Sequence, residues 1–377
     1  MLRHIARMFR PAREGQSTSK ISPLIFDRHF SDARHRVVIM ADGAGATQRI
    51  SFDLPLTLRR QTGEVALALF EESVVSTPQD MRALLSSLHP TIVVASRYGG
   101  VGSQEVVAYC HRAGIPLVSH FDDDLFDVPL SLGKAKYDRY HDPLRLRSMR
   151  TLCEGASLIY LSTEELKRRF ERYAFKPEAV AGEIYCPVSK DVKRELSDKL
   201  VFGYMGTAGH AEDLEQVLPS IEEVLDSLPE ARFETFGSIK MPAELVRKYG
   251  DRVRAIPPTA DYNSFLARMR ELDWKVGLAP LVRNPFNDCK ANTKFIEYAS
   301  AGVLPVLSTG PVYARICNVA GLPQDENSTW HERIVELLSM PQVEAISLLR
   351  NVQDKISEFY SLAKLEDQVV KVLRLHF

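Results

Sequence analysis

Residues 284–313 read Asn-Pro-Phe-Asn-Asp-Cys-Lys-Ala-Asn-Thr-Lys-Phe-Ile-Glu-Tyr-Ala-Ser-Ala-Gly-Val-Leu-Pro-Val-Leu-Ser-Thr-Gly-Pro-Val-Tyr, and this stretch decides the fold. It begins with turn-forming residues and continues into a helical segment that stops at Gly302. A short apolar run at 303–307 then has the composition of a buried strand. The order of turn, helix and buried strand is typical of an α/β domain.

The same stretch carries the side chains of an anion site. The predicted helix carries Lys290 and Lys294 near its start, where unpaired backbone N–H groups and the helix dipole also favour negative charge. Together with Asn292, they suit a diphosphate. Glu297, further along the helix, is placed to accept hydrogen bonds from sugar or ribose hydroxyls. In the alternative interpretation, Lys294 and Glu297 form only a surface ion pair, because they are three residues apart on one helix.

Outward from this stretch, the chain contains two series of alternating strands and helices. The first has apolar runs at 36–41, 64–70, 91–95, 115–119 and 157–161, with helical patterns at 78–88, 102–113 and 163–172. The second has runs at 201–205, 231–236, 252–256, 275–279 and 303–307, a helix through Leu214 and Leu225, and a helix at 261–272. Short apolar strands joined by helices predict parallel sheets. The fold class is therefore α/β, with two Rossmann-like, doubly wound parallel-sheet domains.

Composition excludes several classes of partner. The 377 residues include 48 basic and 49 acidic ones, so no overall field favours nucleic acid. Five scattered cysteines without a Cys-x-x-Cys pair favour reduced thiols over a disulfide framework or a zinc site. No run approaches the length of a transmembrane helix and no signal-peptide pattern is present, so we expect a cytoplasmic protein.

Residues 284–313 resemble the donor-binding segment of GT-B glycosyltransferases, in particular family 4. That family carries a Glu-x7-Glu pattern, and Glu297-Tyr-Ala-Ser-Ala-Gly-Val-Leu-Pro-Val matches its second acid and the residues after it. The first acid is missing, because Cys289 stands at its position and Asp288 lies one place away. The resemblance implies two domains facing a cleft, a nucleotide-diphosphate sugar as donor substrate, and no cofactor or metal.

The resemblance also implies which loops line the donor pocket. Gly206, Thr207 and His210 follow one predicted strand of the second domain, and Gly237 and Ser238 follow the next. Glycines allow close backbone approach, while Thr207 and His210 offer hydrogen-bond donors to phosphate. Each loop alone is equally consistent with an ordinary tight turn. Tyr262 lies where the family often holds the base, although its spacing on an amphipathic helix favours a core position.

On the acceptor side, the resemblance points to loops of the first domain. Gly43, Ala44 and Gly45 follow the first strand but lack the full Gly-x-Gly-x-x-Gly spacing of a dinucleotide site. Arg97 and Tyr98 follow another strand and offer a cation and a hydroxyl. In the alternative interpretation, Arg97 is a solvated loop charge.

His120, Asp122 and Asp123 are the candidate catalytic residues of the first domain, and Glu297 is that of the second. The sequence His120-Phe-Asp-Asp-Asp-Leu-Phe-Asp127 follows a predicted strand, and family 4 members have a histidine near this strand end, close to the reacting sugar. Clustered acids raise one another's pKa, which suits a general base. They also suit a divalent metal, but GT-B proteins generally need none. Alternatively, the acids only cap the following turn.

These observations predict a glycosyltransferase that moves a sugar to a hydroxyl acceptor, either a growing polysaccharide or a lipid-linked glycan. The alternatives are an epimerase or phosphorylase of the same fold, or an inactive sugar-nucleotide-binding domain. We expect a basic arm at 1–35, an N-terminal domain at 36–188 completed by a helix at 360–377, and a C-terminal domain at 189–359. The arm has Arg3, Arg7, Arg10 and Arg13 among apolar residues, a pattern that is consistent with peripheral contact with the inner face of a membrane and equally with a solvated tail.

Overall fold

The computed structural model describes residues 23–43, 45–320 and 329–376. The chain forms two compact units. The first consists of residues up to Val128, then Asp138–Glu183 and Glu366–Phe377; the second consists of Pro129–Tyr137 and Ile184–Leu365. The chain therefore passes between the units at four places.

The first unit is built on a seven-stranded sheet with the order β1-β3-β2-β4-β5-β6-β7. Its strands are β1 (Ile25–Phe26), β2 (His35–Ala41), β3 (Val65–Glu71), β4 (Ile92–Ser96), β5 (Leu117–Phe121), β6 (Leu158–Leu161) and β7 (Ala179–Ala181). Strands β2 to β7 pair in parallel, and only β1 runs antiparallel. The central strands are buried, as their uninterrupted apolar sequences require.

Helices connect these strands. They are α1 (Ala46–Gln48), α2 (Thr57–Gln61), α3 (Pro78–Leu88), α4 (Ser103–Ala113), α5 (Lys134–Tyr140), α6 (Pro143–Gly155) and α7 (Glu164–Phe170). A π-helical segment, Arg49–Asp53, follows α1. Helix α3 begins with a capping box between Thr77 and Asp80 and buries Met81, Leu84 and Leu85 against the sheet.

The second unit contains a five-stranded, fully parallel sheet with the order β10-β9-β8-β11-β12. Its strands are β8 (Val201–Gly206), β9 (Arg232–Gly237), β10 (Val253–Ile256), β11 (Val276–Ala279) and β12 (Leu304–Leu307). Because the strands are parallel, the residues that follow β8, β9 and β11 lie at the same edge of the sheet, where open α/β sheets bind ligands.

The helices of the second unit are α8 (Ala211–Glu215), α9 (Leu218–Ser227), α10 (Ala243–Tyr249), α11 (Tyr262–Glu271), α12 (Thr293–Ser300), α13 (Pro311–Ala320), α14 (Trp330–Ser339) and α15 (Gln342–Phe359). Helix α16 (Leu362–Val372) begins in the second unit and continues into the first. The single helix predicted through Leu214 and Leu225 is two helices, α8 and α9, with Pro219 in the first turn of the second. None of the helices in the described ranges is both long and apolar enough to cross a membrane.

The ten predicted strands and the predicted α/β class are confirmed. The sequence prediction missed β1 and β7, which are only two and three residues long. The expected arm at 1–35 was wrong from residue 23 onward, because Ile25–Phe26 pairs with β3 and Phe30 is buried. Residues 1–22, which include the four arginines, lie outside the described residues.

Gly237 provides a test of how tightly two loops of the second unit are packed. It has φ +116°, and a Cβ there would lie 2.3 Å from the backbone oxygen of Gly206. We expect Gly237→Ala to destabilise the second unit by about 3 kcal/mol, since backbone strain and overlap with a backbone atom act together. Gly209→Ala is the matched control, because its Cβ would have no contact closer than 3.5 Å. Equal urea midpoints for the two variants would contradict this packing.

Candidate functional site

Helix α12 places the residues of the opening stretch. Before it, the side chain of Asn284 accepts hydrogen bonds from the backbone N–H of Phe286 (3.0 Å) and Asn287 (2.8 Å), which folds the predicted turn. After it, Gly302 adopts φ +79°, in the left-handed region that favours glycine at a helix end. The helix itself begins at Thr293. Lys290 therefore precedes the helix, whereas the sequence placed it within.

Tyr298 fixes α12 to the two central strands of the second sheet. Its buried hydroxyl accepts a hydrogen bond from the backbone N–H of Met205 in β8 (3.0 Å) and donates one to the carbonyl of Leu278 in β11 (2.9 Å). Its ring packs on Gly277, where a Cβ would lie 2.6 Å from a ring atom. Strands β8 and β11 thus determine where the side chains of α12 are held.

Lys294 lies against Tyr204 of β8. Its Nζ donates to the Tyr204 hydroxyl (3.2 Å) and lies 4.8 Å from the centre of that ring. Burial lowers the pKa of Lys294 to about 8, and the charge of Lys290 adds to this effect, while Asp213 and Glu297 oppose it. The nearby carboxylates offset only part of the free-energy cost of burying this ammonium group, since its pKa is still lowered. An anionic ligand would therefore stabilise its charged form.

His210 and Asp213 form a pair beside Lys294. His210 Nδ1 lies 2.7 Å from Asp213 Oδ2, and Asp213 Oδ1 accepts a hydrogen bond from the backbone N–H of Val282 (2.8 Å). Lys294 is the main cause that lowers the pKa of His210, followed by burial. For Asp213, burial opposes ionisation, but His210, the Val282 N–H and Lys294 together lower its pKa. Asp213 was not predicted as a site residue, although the His-x-x-Asp spacing within one helical turn was a usable signal.

Glu297 is 7% exposed and is held by Tyr262 of α11, whose hydroxyl donates to Glu297 Oε1 (2.7 Å). Burial raises the pKa of Glu297 to about 7, against the opposing effects of Tyr262 and Lys294. The surface ion pair between Lys294 and Glu297 was therefore the wrong alternative. Tyr262 stacks with Phe265 at a centroid distance of 6.0 Å, so it serves the core and also orients Glu297.

The two glycine-containing loops of the predicted donor site are joined to each other. The backbone N–H of Ala208 donates to Ser238 Oγ (3.2 Å), and the N–H of Ile239 donates to the carbonyl of Gly206 (3.1 Å). Thr207 is exposed beside them. Gly206 and Gly237 therefore allow the close approach of two loops, which accounts for these glycines without a ligand.

The other residues of the predicted donor set differ in their surroundings. Lys290 Nζ lies 5.6 Å from the centre of the Phe286 ring, and Asn292 donates to the Tyr360 hydroxyl (3.1 Å). Asp288 does not replace the missing acid, because Arg283 Nε donates to its carboxylate (2.8 Å). Cys289 is buried, with its thiol donating to the carbonyl of Pro285 (3.3 Å).

In the first unit, His120 is fully buried on β5, whereas the sequence predicted that it follows this strand. Phe52 and Tyr160 pack against its ring, and Nδ1 lies 2.9 Å from Ser96 Oγ. Nε2 has no hydrogen-bond partner among the described residues. Burial lowers the pKa of His120 to about 4, so the imidazole is neutral at pH 7.

Arg97 is the centre of a partly buried polar network, so its description as a solvated loop charge was wrong. Its guanidinium contacts Asp122 (2.9 Å), Asp42 (3.3 Å) and the Tyr140 hydroxyl (3.0 Å). Asp42 also accepts a hydrogen bond from Tyr140. Arg97 has φ +57°, a strained conformation for this residue, which the three contacts hold in place.

The remaining acceptor-side candidates do not join this network. Tyr98 is buried and donates its hydroxyl to the carbonyl of Val101 (2.6 Å), so that hydroxyl is used within the unit. Gly43 and Gly45 have no close neighbours where a Cβ would stand. Ala44 lies outside the described residues.

The carboxylates after β5 accept hydrogen bonds from other residues and do not pair with one another. Asp122 accepts from Thr47 (2.7 Å) as well as from Arg97, and buried Asp124 accepts from Arg169 and from Tyr173 (2.7 Å). The expected mutual increase of pKa was wrong for Asp127, whose pKa is lowered chiefly by the hydrogen bond from Arg172. Asp123 is half-buried beside them and acts on Arg97 through its charge. The described part of the chain contains no group of three or more potential metal-ligating side chains.

Comparisons with known proteins identify the fold. No protein-family model matches the sequence, and curated proteins give no significant match. Among solved structures, the chain is similar to sucrose-phosphate synthase from Thermosynechococcus elongatus, with a TM-score of 0.62 at 14% identity over 90% of this chain and 98% of that one. A structure described as trehalose-6-phosphate from E. coli bound with UDP-2-fluoro glucose gives 0.58 at 13% identity over 90% and 99%. A mutant O-GlcNAc transferase from Thermobaculum terrenum gives 0.54 at 14% identity over 94% and 70%.

These similarities, together with the seven-stranded and five-stranded parallel-sheet units, show that the chain has the GT-B fold. At 14% identity and below, these three structures establish the architecture alone. The assignment to family 4 and its Glu-x7-Glu motif remains a prediction.

Proposed function

We propose that the protein is a glycosyltransferase that moves a sugar from a nucleotide-diphosphate donor to a hydroxyl acceptor. The observation that carries this proposal is the cluster of Lys294, the His210–Asp213 pair and the Tyr262–Glu297 pair in the second unit. The chemistry of this cluster fits the two parts of such a donor, a diphosphate and a hydroxyl-rich sugar. The similar E. coli structure, which is bound with UDP-2-fluoro glucose, lends support through the shared fold.

Lys294 and Lys290 are the groups proposed for the leaving diphosphate. When the sugar departs, negative charge develops on the phosphate oxygens, and an ammonium already fixed in a partly buried site stabilises that charge without reorganising. Because Tyr204 holds Lys294 by a hydrogen bond and by its ring, the ammonium is positioned before the donor arrives. Thr207 adds an exposed hydroxyl near the same edge of the sheet.

Glu297 is the group proposed for the hydroxyls of the donor. Tyr262 occupies Oε1, which fixes the plane of the carboxyl group and leaves Oε2 as the atom proposed to accept from a ribose or sugar hydroxyl. Since the first acid of the family pattern is absent and Asp288 pairs with Arg283, we propose that contacts to the transferred sugar differ from those of family 4.

For the acceptor, we propose the first unit. Neutral His120 retains a ring nitrogen without a protein partner in the described part of the chain. Because this nitrogen is buried, we propose that it exchanges a hydrogen bond with substrate only after acceptor binding has made it accessible. Arg97 and Asp122 are proposed to hold the surrounding loops in position. A growing polysaccharide or a lipid-linked glycan is the proposed acceptor, and the reaction as proposed uses no metal.

The proposal is tested with a thermal-shift panel of UDP-glucose, UDP-N-acetylglucosamine, GDP-mannose and dTDP-glucose. A ligand that binds only the native state raises the melting temperature by mass action, so we expect at least one member to stabilise the protein. Release of free nucleoside diphosphate that requires an added saccharide acceptor would then support transfer. Binding without any turnover would favour the inactive binding domain, and stabilisation by no member would contradict the proposal.

A further inference from the structure

The His210–Asp213 pair lies where the proposed diphosphate binds, but its hydrogen bonds do not suit an anion in the free protein. A carboxylate only accepts hydrogen bonds, and Asp213 Oδ2 lies 2.7 Å from His210 Nδ1. Nδ1 must therefore carry the hydrogen. In a neutral imidazole the other nitrogen, Nε2, then bears a lone pair. A phosphate oxygen also bears lone pairs, so the two would repel each other.

Asp213 is fixed in this role from both sides. Its second oxygen accepts from the backbone N–H of Val282 (2.8 Å), and its side chain is 5% exposed. It cannot turn away to release His210 without losing a buried hydrogen bond. The position of the Nδ1 proton is thus determined by the fold, as it is for histidines whose tautomer a carboxylate sets.

We propose that His210 and Asp213 form a proton-holding pair, in which binding of the donor diphosphate brings one proton from solvent onto Nε2 of His210. The imidazolium then donates one hydrogen bond to Asp213 and one to a phosphate oxygen. No proton passes to the substrate: it comes from solvent and remains on Nε2 while the sugar leaves. Asp213 is a positioning residue and His210 is the group that touches the diphosphate. This inference rests on the proposed function.

The charges around His210 explain why the proton is absent before binding and present after it. Lys294 and Lys290 disfavour a second positive charge, burial does the same, and only Asp213 favours it; the resulting pKa lies below the ordinary value of 6.5. The ring is therefore neutral at pH 7. Tyr204, which bonds Lys294, is also neutral there, because burial raises its pKa well above 10. A diphosphate brings two negative charges that offset both lysines, so the pKa of His210 rises on binding.

The test is calorimetry of the panel member that binds most tightly, at a pH of about 7, in buffers that differ in ionisation enthalpy. Nucleotide sugars carry no group that titrates near this pH, so the protons counted belong to the protein. We expect the wild type to take up close to one proton more than His210→Gln. Glu297 and Lys294 also titrate near this pH, but both are present in the two proteins and their shared contribution cancels in the difference.

The affinity should show the same linkage. In the pH range between the free and bound pKa values of His210, the wild-type affinity should fall by up to about tenfold for each unit that the pH rises, relative to the variant. Equal proton numbers in two proteins that both bind would overturn this inference and leave the proposed function standing. Binding of no panel member would overturn both.

A measurement on the wild type decides the matter even if His210→Gln does not fold. With nitrogen-labelled histidine, we expect one ring to change its Nε2 from unprotonated to protonated when the nucleotide sugar is added. Asp213→Asn should remove this change, because the amide oxygen keeps the hydrogen bond from the Val282 N–H and the amide NH2, a donor, then faces Nδ1. A wild-type spectrum in which no histidine changes its protonation in saturating ligand would overturn the proposal.

Discussion

Lys294→Ala is expected to weaken the binding of nucleoside diphosphate by about 1.5–3 kcal/mol, the usual value of a hydrogen bond to a charged group. This corresponds to roughly a tenfold to hundredfold increase in Kd. The lysine is partly buried against Tyr204, so its charge is less screened than one on the surface. Binding of the nucleoside without phosphates should stay the same, because Lys294 has no proposed contact with it. Calorimetry with both ligands makes the comparison.

Lys248→Ala is the matched control. Lys248 also belongs to the second unit, but it is half-exposed and pairs with Glu222 and Asp226 on the surface. Its removal should leave both affinities unchanged. If Lys294→Ala binds nucleoside diphosphate as tightly as Lys248→Ala does, then α12 is not the phosphate site.

Glu297→Gln is expected to lower turnover about tenfold to hundredfold and to raise stability in alkaline solution. Turnover falls because a charged acceptor becomes an amide. Stability rises because burial holds the pKa of Glu297 at about 7, above its ordinary 4.5, so the native state favours the protonated acid. Wild-type stability is then lost as the pH rises through this interval, by about 3 kcal/mol at most. Glutamine stays neutral and avoids the loss.

Melting curves of both proteins at pH values of about 5 and 8.5 test the direction in which stability changes with pH. The variant should melt close to the wild type at the lower pH and above it at the higher one. Glu222→Gln, on the surface, should show no such change with pH. A difference between Glu297→Gln and wild type that is the same at both values would show that the carboxyl group is not destabilised by burial.

Local patterns were sufficient for most of the fold. The buried strands are uninterrupted apolar runs, and helices such as Pro78–Leu88 begin with a capping box and bury every third or fourth residue, so both leave a periodic signal. The strands Ile25–Phe26 and Ala179–Ala181 leave none, because two or three residues at a sheet edge are too few for a period. The break between α8 and α9 was readable from Pro219 but was outweighed by the apolar spacing.

The candidate site was less predictable, because its partners are distant in the sequence. Lys294 and Glu297 could be selected from their own segment, but Tyr204 is 90 residues from the lysine and Tyr262 is 35 from the acid. Similarly, Asp42 and Tyr140, which hold Arg97, are 55 and 43 residues from it. The packing of strands and helices that are distant in the sequence brings these side chains together. The spacing of residues along the sequence therefore identified the charged side chains, and the tertiary structure determined which of them have a hydrogen-bond or ion-pair partner.

The attachment of α12 to its sheet through Tyr298 affects the entropy of binding. The hydroxyl and ring of Tyr298 tie the helix to β8 and β11 through buried contacts, so its backbone is ordered when the protein folds. A ligand that meets Lys294 and Glu297 need not supply the free energy for ordering that backbone, which commonly costs binding loops part of their affinity. The conformational entropy of the helix is lost once, during folding. None of the interaction energy between ligand and protein is then needed to order this helix when the ligand binds.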